Sequence, residues 1–356
     1  MNYGMDEEIR LIRESAGAIA PRGGDLKRVR SLRFTEPGFD GAVWRQIGEL
    51  GWLGLLVPES AGGSGLGMRS FCALMEELGA GLAPEPLGVC APVIAMLPAS
   101  VRDAAMAGDI LVVPAWQESS GSPDVGGSTS FDGRVVSGVK RAVPYGRASD
   151  YFLVATASGC TLVARDARGV SIDAKPTQDG GQYATVTFDH APGEAVAGNF
   201  APVLDAITLA GSAYLLGAMD EAVRITLVYL GTRKQFGRLI GSFQALQHRA
   251  VDLKIQIELT RAVVEEAADL MDRSADVALC RSAVSRAKAR ASDAAMLIAR
   301  EATQFHGAIG FTDEGDIGLY TRKILTLSGQ NGSSRAHRAR FLAALEAGLS
   351  ENVDGN

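Results

Sequence analysis

The chain is poor in aromatic residues and in cysteine, and it carries no surplus of positive charge. Aromatic residues make up only 6% of its 356 residues, but 47% are hydrophobic, which is enough for a large core. Cys72, Cys90, Cys160 and Cys280 form no CxxC pair and have no metal-ligand spacing, so we expect reduced, mostly buried thiols. The net charge of −6 favours neither nucleic acid nor an anionic membrane surface as a partner.

Sorting signals and metal motifs are also absent from the sequence. Residues 1–13 are acidic and periodic, whereas a signal peptide has a basic stretch followed by an apolar one. No apolar run approaches the roughly 20 residues of a membrane span. The histidines, His190, His248, His306 and His337, lie far apart without HxxxH spacing, so we predict no metal site. The sequence therefore predicts a soluble, cytoplasmic protein.

The hydrophobic pattern changes twice along the chain and predicts three domains. Residues 1–108 show helical periodicity, and so do residues 199–356. Between them, in residues 109–198, short β-prone runs alternate with Gly, Asp, Pro and Ser at the spacing of an antiparallel sheet. These runs are residues 110–115, 134–139, 151–156, 161–164 and 183–188. We expect a mostly α protein with a helical N-terminal domain and a small β-barrel-like middle domain.

The C-terminal third predicts a four-helix bundle, because apolar residues recur there in steps of three and four. One such seam consists of Phe243, Leu246, Ala250, Leu253, Ile257, Thr260, Val264, Ala267 and Met271. A second, rich in small residues that allow close helix packing, consists of Cys280, Val284, Ala287, Ala291, Ala294, Ile298 and Phe305.

Two motifs at predicted helix ends indicate a binding site. The first is Arg-Lys-Gln-Phe-Gly at 233–237, and the second is Gln-Phe-His-Gly-Ala-Ile-Gly-Phe at 304–311. Arg233 offers five donors in a planar fork that suits a pyrophosphate, and Phe236 is an apolar plate for a flat ring. Gln304 supplies amide donors and an acceptor, and the glycines after it allow close approach of a ligand. Together they predict a site for a phosphate-bearing aromatic cofactor.

The domain order and the extended motifs, residues 233–248, 304–311 and 320–323, resemble those of the acyl-CoA dehydrogenase family over essentially the whole chain. In that family these segments reach across a subunit interface and hold the adenine and pyrophosphate of a neighbour's FAD. The resemblance implies FAD as cofactor, an acyl-CoA substrate and a tetramer built through the C-terminal bundle. It assigns the FAD contact to Arg233, Gln235, Phe236, Gln304 and Gly307.

Ser333 has two interpretations. It follows Gly332 at a predicted helix start, which is typical of an N-cap residue. The resemblance instead implies contact with the adenosine end of the cofactor.

The resemblance weakens at the catalytic base. Family members use a Glu in a segment close to Tyr-Glu-Gly-Thr, and at that spacing this chain has Asn331, whose amide cannot act as a general base. A minority of the family carries the base on the first long C-terminal helix, where this chain has Ile207. Asp205 is a candidate for a displaced base, but two residues along a helix is a rotation of about 200°, so Asp205 should face elsewhere. A helix-start carboxylate favoured by the macrodipole is the alternative for Asp205. We therefore assign no catalytic residue.

The predicted flavin-ring contacts differ as well. The family has a Thr-Glu-Pro-Gly-type turn where residues 115–120 read Ala-Trp-Gln-Glu-Ser-Ser. It also has an aromatic residue and a Thr where this chain has Ala142 and Pro144. Proline has neither a hydroxyl nor an N–H, so a hydrogen bond to the flavin from that residue is lost. The half of the site that clamps a neighbour's cofactor is kept, and the half that binds the ring is not.

Three hypotheses remain open. The chain could be the base-lacking subunit of a heterotetrameric acyl-CoA dehydrogenase, whose homologous partner carries the Glu; such pairs act on steroid side chains and other bulky acyl-CoAs. It could be a homotetrameric flavoenzyme with different chemistry, desulfinase-like or oxidase-like. It could also be a non-catalytic structural subunit. Flavin binding by the isolated chain would distinguish the first hypothesis from the second.

Overall fold

The computed structural model describes residues 3–119 and 121–354, with side chains from residue 7 to residue 346 apart from Ser120. Helices account for 56% of the residues, so the predicted class, mostly α with a small β domain, is confirmed. Six α-helices and two short 3-10 helices, Trp52–Gly54 and Glu59–Ala61, precede the first strand in the described part of the chain. The α-helices are α1 Tyr3–Ala16, α2 Lys27–Leu32, α3 Gly41–Glu49, α4 Gly67–Ala80, α5 Leu87–Ile94 and α6 Ala99–Met106.

The middle of the chain forms two four-stranded sheets. Its strands are β1 Val112–Ala115, β2 Ser130–Phe131, β3 Val135–Pro144, β4 Tyr151–Thr156, β5 Gly159–Ala164, β6 Val170–Pro176, β7 Gln182–Pro192 and β8 Glu194–Val196. One sheet has the order β1-β4-β5-β8, and the other has the order β2-β3-β7-β6. All five predicted β-prone runs overlap strands. Strands β2, β6 and β8 were missed, because two are very short and β6 is mostly exposed.

One part of the predicted antiparallel arrangement is wrong. Strand β1 pairs with β4 in parallel, with Val112 beside Tyr151 and Ala115 beside Val154. Parallel neighbours need a connection of a dozen or more residues, and the connection here passes through β2 and β3 of the other sheet. Periodicity along each strand does not report its direction, so the sequence could not predict this pairing.

The last part of the chain is helical, as predicted. Its helices are α7 Phe200–Thr232, α8 Gln244–Arg273, α9 Val277–His306, α10 Asp316–Gly329 and α11 Ser334–Asp354. A short hairpin, β9 Lys234–Gln235 and β10 Arg238–Leu239, lies between α7 and α8. The predicted seams are buried along most of their length, including Ile257 and Val264 on α8 and Ala287 and Ile298 on α9. Helix α9 contacts α8, α10 and α11, so it is the central helix of this group.

Helix α7 has the length and composition of a membrane span but the burial of a core helix. Its most apolar window has a mean hydropathy of 1.4, and 78% of that window is buried inside the protein. The four cysteines are free thiols, buried except for the half-buried Cys280, as predicted.

By its internal contacts the chain divides into two compact units. The first combines the residues up to Arg28, Cys72–Ala83 and the residues from Leu209 onward. The second combines Val29–Phe71 and Pro84–Thr208. The domain boundaries at residues 108 and 198 stay a prediction, since these units follow contacts and not the order of elements.

In the first unit, the backbones of α4 and α7 touch. A Cβ atom on Gly217 would lie 1.8 Å from the carbonyl oxygen of Glu76, and one on Gly79 would lie 2.1 Å from that of Tyr214. Glycine at both positions therefore allows the two helices to approach closely.

Candidate cofactor and active site

The first motif forms the tip of the β9–β10 hairpin. Gln235 pairs with Arg238, and the two residues between them, Phe236 and Gly237, have φ values of 52° and 78°. Positive φ at both central residues is the geometry of a type I′ turn, which suits glycine but is unfavourable for phenylalanine. The Phe236 side chain is 90% exposed. A bulky apolar residue that is both strained and exposed indicates a binding function.

Phe243 packs against two side chains of the hairpin, Phe236 and Arg238. The Arg238 guanidinium lies 4.0 Å from the centroid of the Phe243 ring, and the Phe236 ring meets it edge-on at 6.2 Å. Arg233 is exposed just after α7, with no hydrogen-bond or ion-pair partner for its side chain among the described residues. Among the described residues, an unpaired guanidinium therefore directly precedes a hairpin whose tip exposes an aromatic ring.

The second motif lies at the end of α9. Gln304 is exposed in the last turn of this helix, and Gly307 ends the helix with a φ of 63°. No atom would lie within 4 Å of a Cβ on Gly307, so the backbone there is open to a ligand. Helix α9 therefore ends in an accessible amide side chain and an accessible stretch of backbone.

Tyr229 and His306 bring the two motifs together. Their rings stack with centroids 4.5 Å apart and planes at 22°, and the Tyr229 hydroxyl donates to the His306 carbonyl oxygen at 3.4 Å. Tyr229 lies one helical turn before Arg233, so this contact places the end of α7 beside the end of α9. The sequence analysis did not single out Tyr229, although its i,i+4 spacing to Arg233 was a usable signal.

His306 itself has a packing role in the structure. It is 8% exposed, and its Nδ1 lies 2.8 Å from the carbonyl oxygen of Ala302. Burial lowers its pKa, which keeps the ring neutral.

Asn331 lies in the turn between α10 and α11 and is 4% exposed. It has a φ of 60°, and its carbonyl oxygen accepts a hydrogen bond from His337 Nε2 at 2.9 Å. Its buried Oδ1 has no hydrogen-bond partner within the described part of the chain. Ser333 is exposed, and its hydroxyl accepts a hydrogen bond from the Ala336 amide at 3.2 Å. The N-cap interpretation of Ser333 is therefore confirmed; contact with a cofactor stays a prediction.

Asp205 differs from the expectation. Helix α7 begins at Phe200 and has no acidic residue in its first turn, so Asp205 lies in the second turn. It is 3% exposed, and Ile207 is 2% exposed. The helix-start interpretation of Asp205 is wrong, because the first turn of α7 contains no acidic residue.

An ion pair between the buried Lys140 and the half-buried Glu118 holds the segment that follows β1. Lys140, which is fully buried on β3, donates to Glu118 Oε1 at 2.7 Å and to the Trp116 carbonyl oxygen at 3.3 Å. Glu118 also accepts from the backbone amides of Ser128 and Thr129, each at 2.8 Å. Burial alone would raise the pKa of Glu118, but Lys140 and these donors hold it well below its usual range. Local sequence pattern alone did not reveal this pair.

Most residues expected at the flavin ring are buried, although Ser119 is exposed and the buried Trp116 Nε1 has no hydrogen-bond partner among the described residues. Gln117 is 6% exposed, with its amide donating to the Ser122 carbonyl oxygen at 3.5 Å, and Trp116 stacks on Phe200 with ring centroids 6.1 Å apart. Pro144 pairs with Tyr183 in the sheet, and Ala142 forms a bulge with a φ of 51°. Ser120 lies outside the described residues.

Comparison with known proteins identifies the family. Residues 6–100 match the N-terminal domain of acyl-CoA dehydrogenases, and residues 207–345 match their C-terminal domain. The chain belongs to the acyl-CoA dehydrogenase family. It is 31% identical over 324 residues to the acyl-CoA dehydrogenase IpdE2 of Mycolicibacterium smegmatis, which covers 90% of this chain and 93% of the relative. IpdE2 of Mycobacterium tuberculosis is 29% identical over 320 residues, 89% of this chain and 91% of the relative.

Solved acyl-CoA dehydrogenase structures have the same fold. The Tcur3481-Tcur3483 steroid ACAD superposes with a TM-score of 0.86 at 27% identity, over 98% of this chain and 99% of the other. The ChsE4-ChsE5 complex of Mycobacterium tuberculosis superposes with a TM-score of 0.83 at 24% identity, over 96% and 97% of the two chains. At that identity the second comparison supports the fold alone.

Family membership supports FAD as the cofactor, and the exposed motifs fit its dinucleotide end. Arg233 is unpaired among the described residues, Phe236 exposes its ring, and the backbone at Gly307 is open. These are the groups that a pyrophosphate and an adenine ring require. Ala142 and Pro144 have no hydroxyl for the flavin ring, and the neighbouring Tyr145 hydroxyl donates to the Pro84 carbonyl oxygen, so this chain's own residues fit one end of the cofactor better than the other.

Proposed function

We propose that this chain is the base-lacking subunit of a heterotetrameric acyl-CoA dehydrogenase. It would clamp the FAD of a homologous partner, while the partner would supply the Glu base and the pocket for the flavin ring. A bulky acyl-CoA such as a steroid side-chain thioester is the proposed substrate class. The similarity to the Tcur3481-Tcur3483 steroid ACAD, a structure named after two components, supports this class. A cytoplasmic location is part of this proposal.

The observation that carries the proposal is the contrast between the turn at Asn331 and the exposed hairpin. The turn offers a buried amide in place of a carboxylate, while the hairpin offers an exposed Phe236 and an unpaired Arg233. An amide cannot remove an α-proton near neutral pH. A chain with a complete clamp and no base requires a second chain to complete the site.

FAD, when bound, supplies the hydride acceptor for α,β-dehydrogenation of the acyl thioester. The residues of this chain would hold and orient it: Arg233 would donate to the pyrophosphate and Phe236 would contact the adenine. Gln235 and Gln304 would add amide hydrogen bonds, and Gly307 would allow the backbone to approach.

An apolar stripe on α8 supports assembly through the C-terminal helices. Val251, Ile255 and Leu259 recur at i, i+4 and i+8, on the helix face opposite the buried seam, and are 58%, 49% and 52% exposed. A continuous apolar stripe of this kind is typical of a protein–protein interface.

Co-expression with a homologous genomic neighbour tests the proposal. We expect the isolated chain to purify with little flavin, and the pair to form a heterotetramer that contains FAD, as measured by light scattering and flavin absorbance. Ile255→Asp should prevent assembly, whereas Glu258→Asp, on the same helix, should not. Full flavin loading of the isolated chain would favour the homotetrameric alternative, and assembly without flavin would favour a structural subunit. A monomer under both conditions would contradict the tetramer.

Substitution of the clamp arginine gives a quantitative prediction. Arg233→Ala should weaken FAD binding by the assembled complex by about one to two decades, because a charge-assisted hydrogen bond contributes about 1.5–3 kcal/mol. Lys234→Ala, an exposed cation in the same hairpin, is the matched control and should have a small effect. Equilibrium dialysis measures the affinity, and circular dichroism checks the helix content. Unchanged flavin affinity with helicity retained would show that the clamp assignment is wrong.

A further inference from the structure

A stripe of polar residues interrupts the alanine-rich buried face of α9. Ser285, Lys288 and Ser292 recur at i, i+3 and i+7, so they lie on one face of the helix. They are 0%, 2% and 3% exposed. Buried polar residues in a close-packed seam require hydrogen-bond partners, and all three find them on α10 and α11.

Two of these side chains cap the end of α10. The last carbonyl groups of a helix have no partner within the helix. Lys288 Nζ donates to the Leu327 carbonyl oxygen at 2.7 Å and lies 3.4 Å from that of Ser328. The Ser292 hydroxyl also donates to the Ser328 carbonyl oxygen, at 3.2 Å. Side chains of α9 therefore donate hydrogen bonds to the last carbonyl groups of α10, directly before the turn that carries Asn331.

Capping α10 with a buried lysine costs free energy, because the ammonium group loses its hydration. Its ammonium group has no carboxylate partner among the described residues, and the negative end of the α10 dipole is its main compensation. Burial lowers its pKa to about 7. An apolar residue of similar size at such a site is often as stable as a buried charge, so stability alone does not explain the lysine.

The turn that follows is held from its other side by α11. Asn331 and Gly332 both have positive φ, at 60° and 109°, and the carbonyl oxygen of Asn331 accepts a hydrogen bond from the fully buried His337. Arg340 Nε donates to Ser285 Oγ at 2.7 Å, which attaches α11 to the same stripe on α9. The turn is therefore fixed at both ends, with the unpaired Oδ1 of Asn331 between them.

We propose that Lys288 is a positioning residue, which holds the end of α10 so that the turn at residues 330–333 presents Asn331 and Ser333 in one fixed geometry to the cofactor site. This inference rests on the proposed function, since it assumes that the turn lines the site where FAD and the acyl group meet. Lys288 touches neither ligand and acts through the turn.

Lys288→Met tests the proposal, because it keeps the length of the side chain and removes the donor and the charge. Arg286→Met is the matched control. It removes one charge from the same helix, where Arg286 pairs with Glu266 at the surface. In hydrogen–deuterium exchange of the isolated chain, Lys288→Met should speed exchange of the amides of residues 330–334 by about tenfold, and the control should not.

The second measurement uses the assembled complex. Lys288→Met should shift the absorbance spectrum of the bound flavin and lower kcat by about tenfold with a smaller change in KM. A purely structural role would lower the melting temperature and leave the spectrum of the folded complex unchanged. If Lys288→Met does not fold, Ser292→Ala removes the second cap bond and should give the same effects with smaller size.

The outcomes separate this inference from the proposed function. Unchanged exchange at residues 330–334 would overturn the positioning role. Faster exchange with an unchanged flavin spectrum and unchanged kcat would show that the turn does not face the site, and would also overturn it. A complex that binds no FAD at all would contradict the proposed function, while the exchange measurement would still decide whether Lys288 fixes the turn.

Discussion

The isolated chain should oxidise a saturated acyl-CoA roughly 10²–10⁴-fold more slowly than the complex with its base-bearing partner. The cause is Asn331, which we propose takes the place of the carboxylate that acts as general base. Dehydrogenation begins with removal of a weakly acidic α-proton, so loss of the base slows the chemical step itself. The measurement is acyl-CoA-dependent bleaching of the flavin, made on chain and complex at equal concentration with added FAD.

Asn331→Glu is the control for this prediction. The substitution supplies a carboxylate at the turn, but we expect no recovery of activity in the isolated chain, because Ala142 and Pro144 offer no hydroxyl to the flavin ring. Circular dichroism must show that the variant folds, since the site is 4% exposed. Rapid bleaching by the unmodified isolated chain would contradict the base-lacking assignment, and recovery in Asn331→Glu would show that the ring pocket is complete.

The largest loss of stability is expected at Glu76. Its side chain on α4 is 5% exposed and accepts hydrogen bonds from Arg13 at 2.7 Å and from Arg261 at 2.5 Å, with Arg22 at 3.5 Å. Removing one partner of a buried ion pair costs about 3–5 kcal/mol. Because Arg13, Arg22 and Arg261 keep other carboxylate partners, the loss here should lie near the lower end of that range. We therefore expect Glu76→Gln to lower the free energy of unfolding by about this amount, measured by urea denaturation.

The matched control is an exposed ion pair on α1. Glu7 is 58% exposed and pairs with Arg10 three residues along the helix, so Glu7→Gln should leave the unfolding midpoint nearly unchanged. Equal losses for Glu7→Gln and Glu76→Gln would show that burial of the network is not the source of its stability.

The same network predicts how stability depends on pH. Burial alone would raise the pKa of Glu76, but Arg13 and Arg261 outweigh it and hold the pKa below its usual value. Asp220 behaves similarly, with Lys254 and Arg22 opposing its burial. A carboxyl group with a lowered pKa contributes stability that is complete at neutral pH and is lost as pH falls below the ordinary carboxyl range. Glu76→Gln should therefore unfold with a weaker dependence on acid pH than the unmodified chain.

Several parts of the fold follow from local pattern. The seam on α8 was predicted through Leu253, Ile257 and Val264, because a period of 3.6 residues places them on one face, and these residues are buried. Strand β4 was predicted at its observed bounds, because its apolar run is bounded by polar residues. At the seam ends the pattern fails: Phe243 lies before α8 and not within it.

In the candidate site, too, some features could be predicted from the sequence and others could not. The side-chain chemistry of Arg233 and Phe236 could be predicted from residue type, and the absence of a carboxylate at residue 331 from motif spacing. The strained type I′ turn at Phe236 and the cap that Lys288 provides for α10 could not, because both depend on backbone conformation and on neighbours far along the chain.

The sequence by itself determined the class of the fold, the helices of the C-terminal part, the two candidate cofactor motifs and the amide at residue 331, because periodicity and side-chain chemistry are local properties. Only the tertiary structure decided that β1 runs parallel to β4 and that Tyr229 and His306 bring the motifs together. The same holds for the ion pairs of Glu76 with three arginines. These contacts join residues distant in the chain, and their free energy depends on burial and distance, which exist only after the chain has folded.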